Sequence, residues 1–199
     1  GRTKLNIKLN TNSFIHIFTP SGQKLQTLET HDLAFSLSWV DNETIIYSDG
    51  ETTHKTNGFV IIHHLKTGDK KIFYTCPLNY KAGDIKVSPD GTKVIFNLRP
   101  AFGRTVEHKT VVGNLSTFET KEVGIVGSIA GWLPDNKHVI VATNLNRSMT
   151  KKFNDRTGVI AKYNVKEDKL EVIKEAAGFY MLENLSPDGR YLYYGKHTH

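Results

Sequence analysis

Apolar and polar residues alternate in short runs along this chain of 199 residues, and polar turns separate the runs at close intervals. Runs such as residues 93–98 and 191–195 are rich in β-branched and aromatic residues, as is typical of strands. Residues 171–177 include good helix formers, but the Val-Ile centre of this segment favours an outer strand. The pattern therefore predicts an all-β fold.

The tetrapeptide Ser-Pro-Asp-Gly occurs twice between such runs, at residues 88–91 and 186–189. Proline has its φ fixed near the value that the second position of a type I turn requires, and glycine can adopt the positive φ that closes a bulged hairpin. Two degenerate copies surround Asp41 and Asp135. In the second of these, Asn136 replaces glycine, and asparagine also tolerates positive φ. Each copy predicts a strand, a tight turn and a second strand.

The four turns recur at a nearly constant spacing. The turn aspartates Asp41, Asp90, Asp135 and Asp188 are separated by 49, 45 and 53 residues. Repeats of about 40–50 residues that consist of strands are typical of propeller blades. Three further strands follow each of the first three turns, at residues 44–48, 59–65 and 71–75, then 93–98, 110–115 and 120–126, then 138–143, 158–165 and 170–174. We therefore predict a β-propeller of four-stranded antiparallel blades, with three full blades.

The two ends of the chain each predict half a blade. Residues 13–18 and 25–30 form the outer half of one blade, and residues 179–185 and 191–195 form the inner half of another. If the halves pair, the chain closes a four-bladed ring; otherwise it is a fragment of a larger propeller, which we favour because four blades is the lower limit for this fold. We treat residues 1–199 as a single β-propeller domain, whether alone or as part of a longer chain.

The turn motif, followed by an Ile- or Val-rich strand and a Thr-Gly turn such as Thr67-Gly68, resembles the blade repeat of the TolB-like (PD40 or WD40-like) β-propeller family. Similar blades form the non-catalytic domain of prolyl-oligopeptidase-like peptidases. Asp41-Asn42, which lacks the Ser-Pro, departs from the family pattern. The resemblance implies an extracytoplasmic location, whether periplasmic, secreted or surface-anchored, with the cytoplasm as the alternative.

Catalytic and metal-binding motifs are not evident in the sequence. It contains no Gly-x-Ser-x-Gly elbow, P-loop, paired CxxC or HExxH. His63 and His64 are adjacent, so on a strand their side chains point to opposite faces and cannot bind one ion together. Cys76 is the only cysteine and predicts a buried, unreactive thiol. We predict no catalytic residue, no cofactor and no metal, and no apolar run is long enough to be a transmembrane segment.

Three long connections, residues 48–58, 99–110 and 144–158, join the second and third strands of successive blades and should emerge on one face. They contain much of the basic charge of a chain whose net charge is +6. Phe102 and Phe153 add apolar side chains there. The basic residues are Lys55, Arg99, Arg104, Lys109, Arg147, Lys151, Lys152 and Arg156. This basic loop face predicts binding of an acidic protein, an anionic polymer or a glycan, and the alternative is a set of solvated loops. No specific nucleic-acid partner is predicted, because no groove-reading module is present.

Three functions fit these observations. The first is a non-catalytic interaction module. The alternative is the gating propeller of a prolyl-oligopeptidase-like serine peptidase whose catalytic domain is absent from this chain. The third is a propeller lyase or hydrolase with a histidine in the central channel, for which His108 and His138 would have to converge.

Overall fold

The computed structural model describes residues 13–30, 36–50, 57–100, 108–125, 127–144, 157–177 and 179–197. These residues form sixteen β-strands and no helix. Among the residues described there is accordingly no helix of the length and apolarity needed to cross a membrane. The prediction of an all-β fold is confirmed.

The strands form five antiparallel sheets in chain order. A hairpin comes first, with β1 (Ser13–Phe18) and β2 (Lys24–Thr30). The first four-stranded sheet consists of β3 (Leu37–Trp39), β4 (Thr44–Asp49), β5 (Phe59–His64) and β6 (Lys70–Thr75). The second consists of β7 (Tyr80–Val87), β8 (Lys93–Pro100), β9 (Lys109–Asn114) and β10 (Thr120–Val123).

The third four-stranded sheet consists of β11 (Ser128–Trp132), β12 (His138–Asn144), β13 (Thr157–Asn164) and β14 (Lys169–Ala177). A second hairpin follows, with β15 (Phe179–Leu185) and β16 (Leu192–His197). The three predicted full blades and both half-blades are therefore present. Residues 171–177, for which an outer strand was predicted, lie in β14.

The repeated turns have the backbone conformation that their sequence predicts. Gly91 and Gly189 have φ of 69° and 71°, and Asn136 has φ of 55°. The N–H groups of Gly91 and Gly189 donate to Ser88 O and Ser186 O, each at 2.8 Å. The Ser-Pro-Asp-Gly motif thus closes the hairpin between the first and second strands of a blade.

Apolar side chains fill the spaces between neighbouring blades. Val94 and Phe96 of β8 contribute to the core shared with the first full blade, whereas Ile95, between them, contributes to the core shared with the third. Both faces of β8 are therefore buried, because side chains alternate along a strand. Cys76 belongs to the core between the first two full blades, and burial raises the pKa of its thiol to about 12.

The terminal hairpins pack on the adjacent full blades, and their described strands do not pair with each other. Ile15, Ile17 and Leu28 contact the core that includes Ile45 and Tyr47 of β4. At the other end Leu185, Leu192 and Tyr194 pack against Ile140 and Ile160. The four-bladed ring would require β16 to pair with β1, and the described strands do not make this pair. Of the two predicted architectures, the described strands fit a fragment of a propeller.

Candidate binding face

The three long connections leave from the same end of three neighbouring blades. The second and third strands of each blade end at the pairs Asp49–Phe59, Leu98–Lys109 and Asn144–Gly158. Neighbouring blades are held side by side through their first strands: Ile85 N–H donates to Ser36 Oγ at 2.7 Å, and Trp132 Nε1–H donates to Lys86 O at 2.9 Å. We call the end from which the connections leave the connection face, and the opposite end, which carries the Ser-Pro-Asp-Gly-type turns, the turn face.

Two of the predicted binding residues, Arg99 and Lys109, lie within the described part of the chain. Both are strand residues at the base of the connection between β8 and β9. The others lie outside the described residues: Lys55, Arg104, Arg147, Lys151, Lys152, Arg156, Phe102 and Phe153.

Arg99 forms an ion pair within its own sheet. Its Nη2 lies 2.6 Å from Asp84 Oδ2, and its side chain is half exposed. Asp84 lies at an irregularity in the pairing of β7 with β8 and has φ of 51°. The neighbouring carboxylate therefore offsets the charge that Arg99 brings to the connection face.

Lys109 is also paired with a carboxylate. Its Nζ lies 3.0 Å from both carboxylate oxygens of Glu122 on the adjacent strand β10. Exposed pairs of this kind contribute about 0–1 kcal/mol to stability, but they reduce the local excess of positive charge. The excess of positive charge predicted for the connection face must therefore come from the residues in the connections themselves.

A buried amide fixes the base of the connection between β8 and β9. Asn97 Nδ2 donates to Asp84 Oδ2 at 2.9 Å and, across the blade boundary, to Gly127 O at 2.5 Å. Thr110 Oγ1–H donates to Asn97 Oδ1 at 2.9 Å. Because this network joins two blades, it holds the strand ends in place under the connection. Sequence reasoning missed Asp84 and Asn97, for which the only signal was a polar residue next to an apolar one, Ile85 and Phe96 respectively.

The histidines do not form a common site in the described residues. His63 is buried between blades, whereas His64 lies on the opposite face of β5 and is partly exposed, as predicted. His138 lies on the turn face, with Nδ1 2.6 Å from Asp135 Oδ2. His108 adjoins β9 at the connection face, so the two histidines lie at opposite ends of their blades and do not converge. No group of three or more potential metal ligands occurs among the residues that the structure describes.

Comparison with known proteins shows likeness at the level of fold. No protein-family model matches the chain, and no curated protein matches its sequence. Among solved structures, TolB from Acinetobacter baumannii is 20% identical with a TM-score of 0.68, and the match covers 91% of this chain and 42% of that one. Hydrazine synthase from Kuenenia stuttgartiensis is 13% identical with a TM-score of 0.63, over 92% of this chain and 55% of that one.

An oligogalacturonate lyase from Vibrio parahaemolyticus is 14% identical with a TM-score of 0.52, over 86% of this chain and 49% of that one. The chain thus spans about half the length of these proteins. Because these three proteins differ in function, the similarity in fold does not indicate which activity this chain has. The structure and these comparisons show that the chain has a TolB-like β-propeller fold.

Proposed function

We propose that the chain is a non-catalytic β-propeller interaction module that binds an acidic protein or an anionic polymer through its connection face. The observation that carries this proposal is that three successive blades each have a connection with basic residues between the second and third strands. Six basic residues and three acidic residues occur in the parts of these connections outside the described residues. The TolB-like fold and the resemblance described above support an extracytoplasmic location as part of the proposal.

The expected affinity is the sum of several weak charge–charge interactions. An exposed charge pair contributes about 1 kcal/mol or less, and at physiological salt charges are screened beyond about 8 Å. Single substitutions should therefore have mild effects. Since Arg99 and Lys109 already have carboxylate partners, substitutions in the connections themselves should weaken binding more than substitutions of these two residues.

A triple variant tests the proposal: Arg104→Glu with Lys151→Glu and Lys152→Glu. We expect the wild-type protein to be retained on a heparin column at low salt and to elute as the salt concentration rises. The triple variant should not be retained. Its melting temperature should stay close to that of the wild type, because the sequence predicts that these three residues are exposed, and exposed substitutions usually change stability by less than about 0.5 kcal/mol.

A matched control separates the connection face from net charge. Lys66, Lys137 and Lys166 are exposed and lie in turns at the opposite end of the blades. Changing all three to Glu alters the net charge by the same amount. This control should remain bound at low salt. Equal retention of the wild type and the connection-face variant, or equal loss in both triple variants, would reject a binding site on the connection face.

A further inference from the structure

The dipeptide Asp-Gly occurs three times in the chain, at residues 49–50, 90–91 and 188–189. In this dipeptide the glycine nitrogen can attack the side-chain carboxyl carbon of the aspartate, because glycine has no side chain to hinder the approach. The product is a cyclic succinimide, which water reopens to aspartate or to isoaspartate. Since the same two residue types react at all three places, the folded structure decides how readily each one reacts.

The first Ser-Pro-Asp-Gly turn directs both reacting groups of its dipeptide to other partners. Gly91 N–H donates to Ser88 O at 2.8 Å. Asp90 Oδ1 accepts hydrogen bonds from the Ser88 hydroxyl at 2.6 Å and from Thr92 N–H at 3.0 Å. These bonds, that from the Ser88 hydroxyl above all, lower the pKa of Asp90. The protonated carboxyl group, which is the form that loses water, is therefore rare at this position.

The second Ser-Pro-Asp-Gly turn repeats this arrangement. Gly189 N–H donates to Ser186 O at 2.8 Å, and Asp188 Oδ1 accepts from the Ser186 hydroxyl at 2.7 Å and from Arg190 N–H at 3.1 Å. The pKa of Asp188 is lowered as well, again chiefly by the serine hydroxyl. Both turns thus protect their aspartates.

The dipeptide at residues 49–50 instead brings its two reacting groups into contact. Gly50 N–H donates to Asp49 Oδ1 at 2.8 Å, so the glycine nitrogen already lies beside the carboxyl group that it would attack. Groups that are held in contact react faster than groups that must first meet. Asp49 is only half-buried, so water can reach it.

Close packing explains why glycine follows Asp49. Gly50 has φ of 129°, which residues with a side chain rarely adopt. A Cβ added there would lie 2.9 Å from both Asn57 O and Gly58 Cα. The fold therefore requires, at position 50, the residue type that leaves the Asp49 carboxyl group open to attack.

We propose that Asp49 isomerises spontaneously in the folded protein, whereas Asp90 and Asp188 are protected. The Gly50 nitrogen bonds to the Asp49 carboxyl carbon, the N–H proton passes to the departing oxygen, and one water molecule leaves. Hydrolysis of the ring consumes one water molecule, so no other reactant is needed. Isoaspartate adds a methylene group to the main chain at the end of β4. This modification is independent of the binding function proposed for the connection face.

Peptide mapping of aged protein tests the proposal. The folded protein is incubated for weeks at mildly acidic pH and digested with trypsin, which places the three dipeptides on separate peptides. Fragmentation mass spectrometry then measures isoaspartate in each peptide. Deamidation of Asn57, which also precedes glycine, changes the mass and falls on another peptide after cleavage at Lys55. We expect isoaspartate to accumulate at Asp49 at least about tenfold faster than at Asp90 or Asp188. Equal rates, or a slower rate at Asp49, would overturn the proposal.

Incubation in guanidinium chloride is the matched control, because it removes the folded structure and keeps the sequence. In the unfolded chain the turn hydrogen bonds and the contact between Gly50 and Asp49 are lost, so the three rates should become similar. If Asp49 keeps the same advantage in the unfolded chain, the difference comes from neighbouring residues in the sequence, and the structural explanation is wrong.

Discussion

Single residues in this protein set the turns that join its strands. Gly91 has φ of 69°, and a Cβ added there would lie 3.1 Å from Val40 O of the preceding blade. Asn136 has φ of 55° and also accepts a hydrogen bond from Asp90 N–H at 3.0 Å, through Oδ1. The two positions therefore differ: Gly91 allows a positive φ and a close approach to the preceding blade, whereas the Asn136 side chain holds two blades together with a hydrogen bond.

Replacement of Gly91 by valine should destabilise the fold. A β-branched residue at positive φ is strained, and we expect Gly91→Val to lower the free energy of unfolding by about 1–3 kcal/mol. Asn136→Gly should relieve backbone strain but lose an inter-blade hydrogen bond, for a net loss of about 1 kcal/mol or less. Urea denaturation followed by tryptophan fluorescence measures both. If Gly91→Val leaves the free energy of unfolding unchanged, this turn accommodates a side chain.

His63 should make stability depend on pH. It is 2% exposed between β1–β2 and β4–β5, and its Nδ1 has no hydrogen-bond partner among the described residues. Burial, together with the charges of Lys70 and His64, lowers its pKa from 6.5. The unfolded chain then binds a proton that the folded chain does not, so the contribution of His63 is full above pH 6.5 and is lost progressively below it.

Comparison with His63→Phe isolates this contribution, because the other titrating groups are common to both proteins. We expect the stability of the wild type relative to His63→Phe to fall as the pH is lowered from 8 to about 5, through the unfolded-state pKa near 6.5. Urea midpoints across that range provide the measurement. Parallel pH profiles would mean that His63 can be protonated without disturbing the fold.

At the scale of elements, the hairpin β1–β2 has two distinct faces. Ile17 is 8% exposed against the first full blade, whereas the adjacent Phe18 is 54% exposed on the other side. Because side chains alternate between the two faces of β1, Ile17 packs on the blade while the next residue, Phe18, is exposed.

Alanine substitutions test this separation. Ile17→Ala should cost about 2–4 kcal/mol, because it removes buried methyl groups and leaves a cavity. Phe18→Ala should change the stability by less than about 0.5 kcal/mol, because the Phe18 side chain is exposed. Thermal melts at low protein concentration compare the two. Similar losses, or a larger loss for Phe18→Ala, would reverse the assignment of faces.

The strands with clear alternation were predicted within two residues, because turn chemistry and side-chain period are local. The predicted strand 120–126 was wrong at its end: β10 stops at Val123, and Gly124 N–H donates instead to Asp168 Oδ1 in the next blade. The roles of Asp84 and Asn97 were also missed, because their partners lie far away in the sequence. Their partners, Arg99 and Gly127, become neighbours only when the sheets form and pack.

At the scale of the whole molecule, each blade packs on its sequence neighbours, as the repeat spacing predicted. The spacing could not predict whether the two half-blades pair with each other, because pairing depends on where both hairpins lie in the folded protein. It also could not predict that carboxylates on adjacent strands offset the charges of Arg99 and Lys109, because those strands come together only in the folded sheet.

Cys76 makes the separation of the first two full blades measurable in the unmodified protein. It is the only cysteine in the chain, and it is completely buried in their shared core. A thiol-reactive dye can therefore label the folded protein only when those blades open. We expect slow labelling that Gly91→Val, in the same interface, accelerates at least fivefold. Rapid labelling of the native protein at a rate unaffected by this substitution would show that dye reaches the thiol without blade separation.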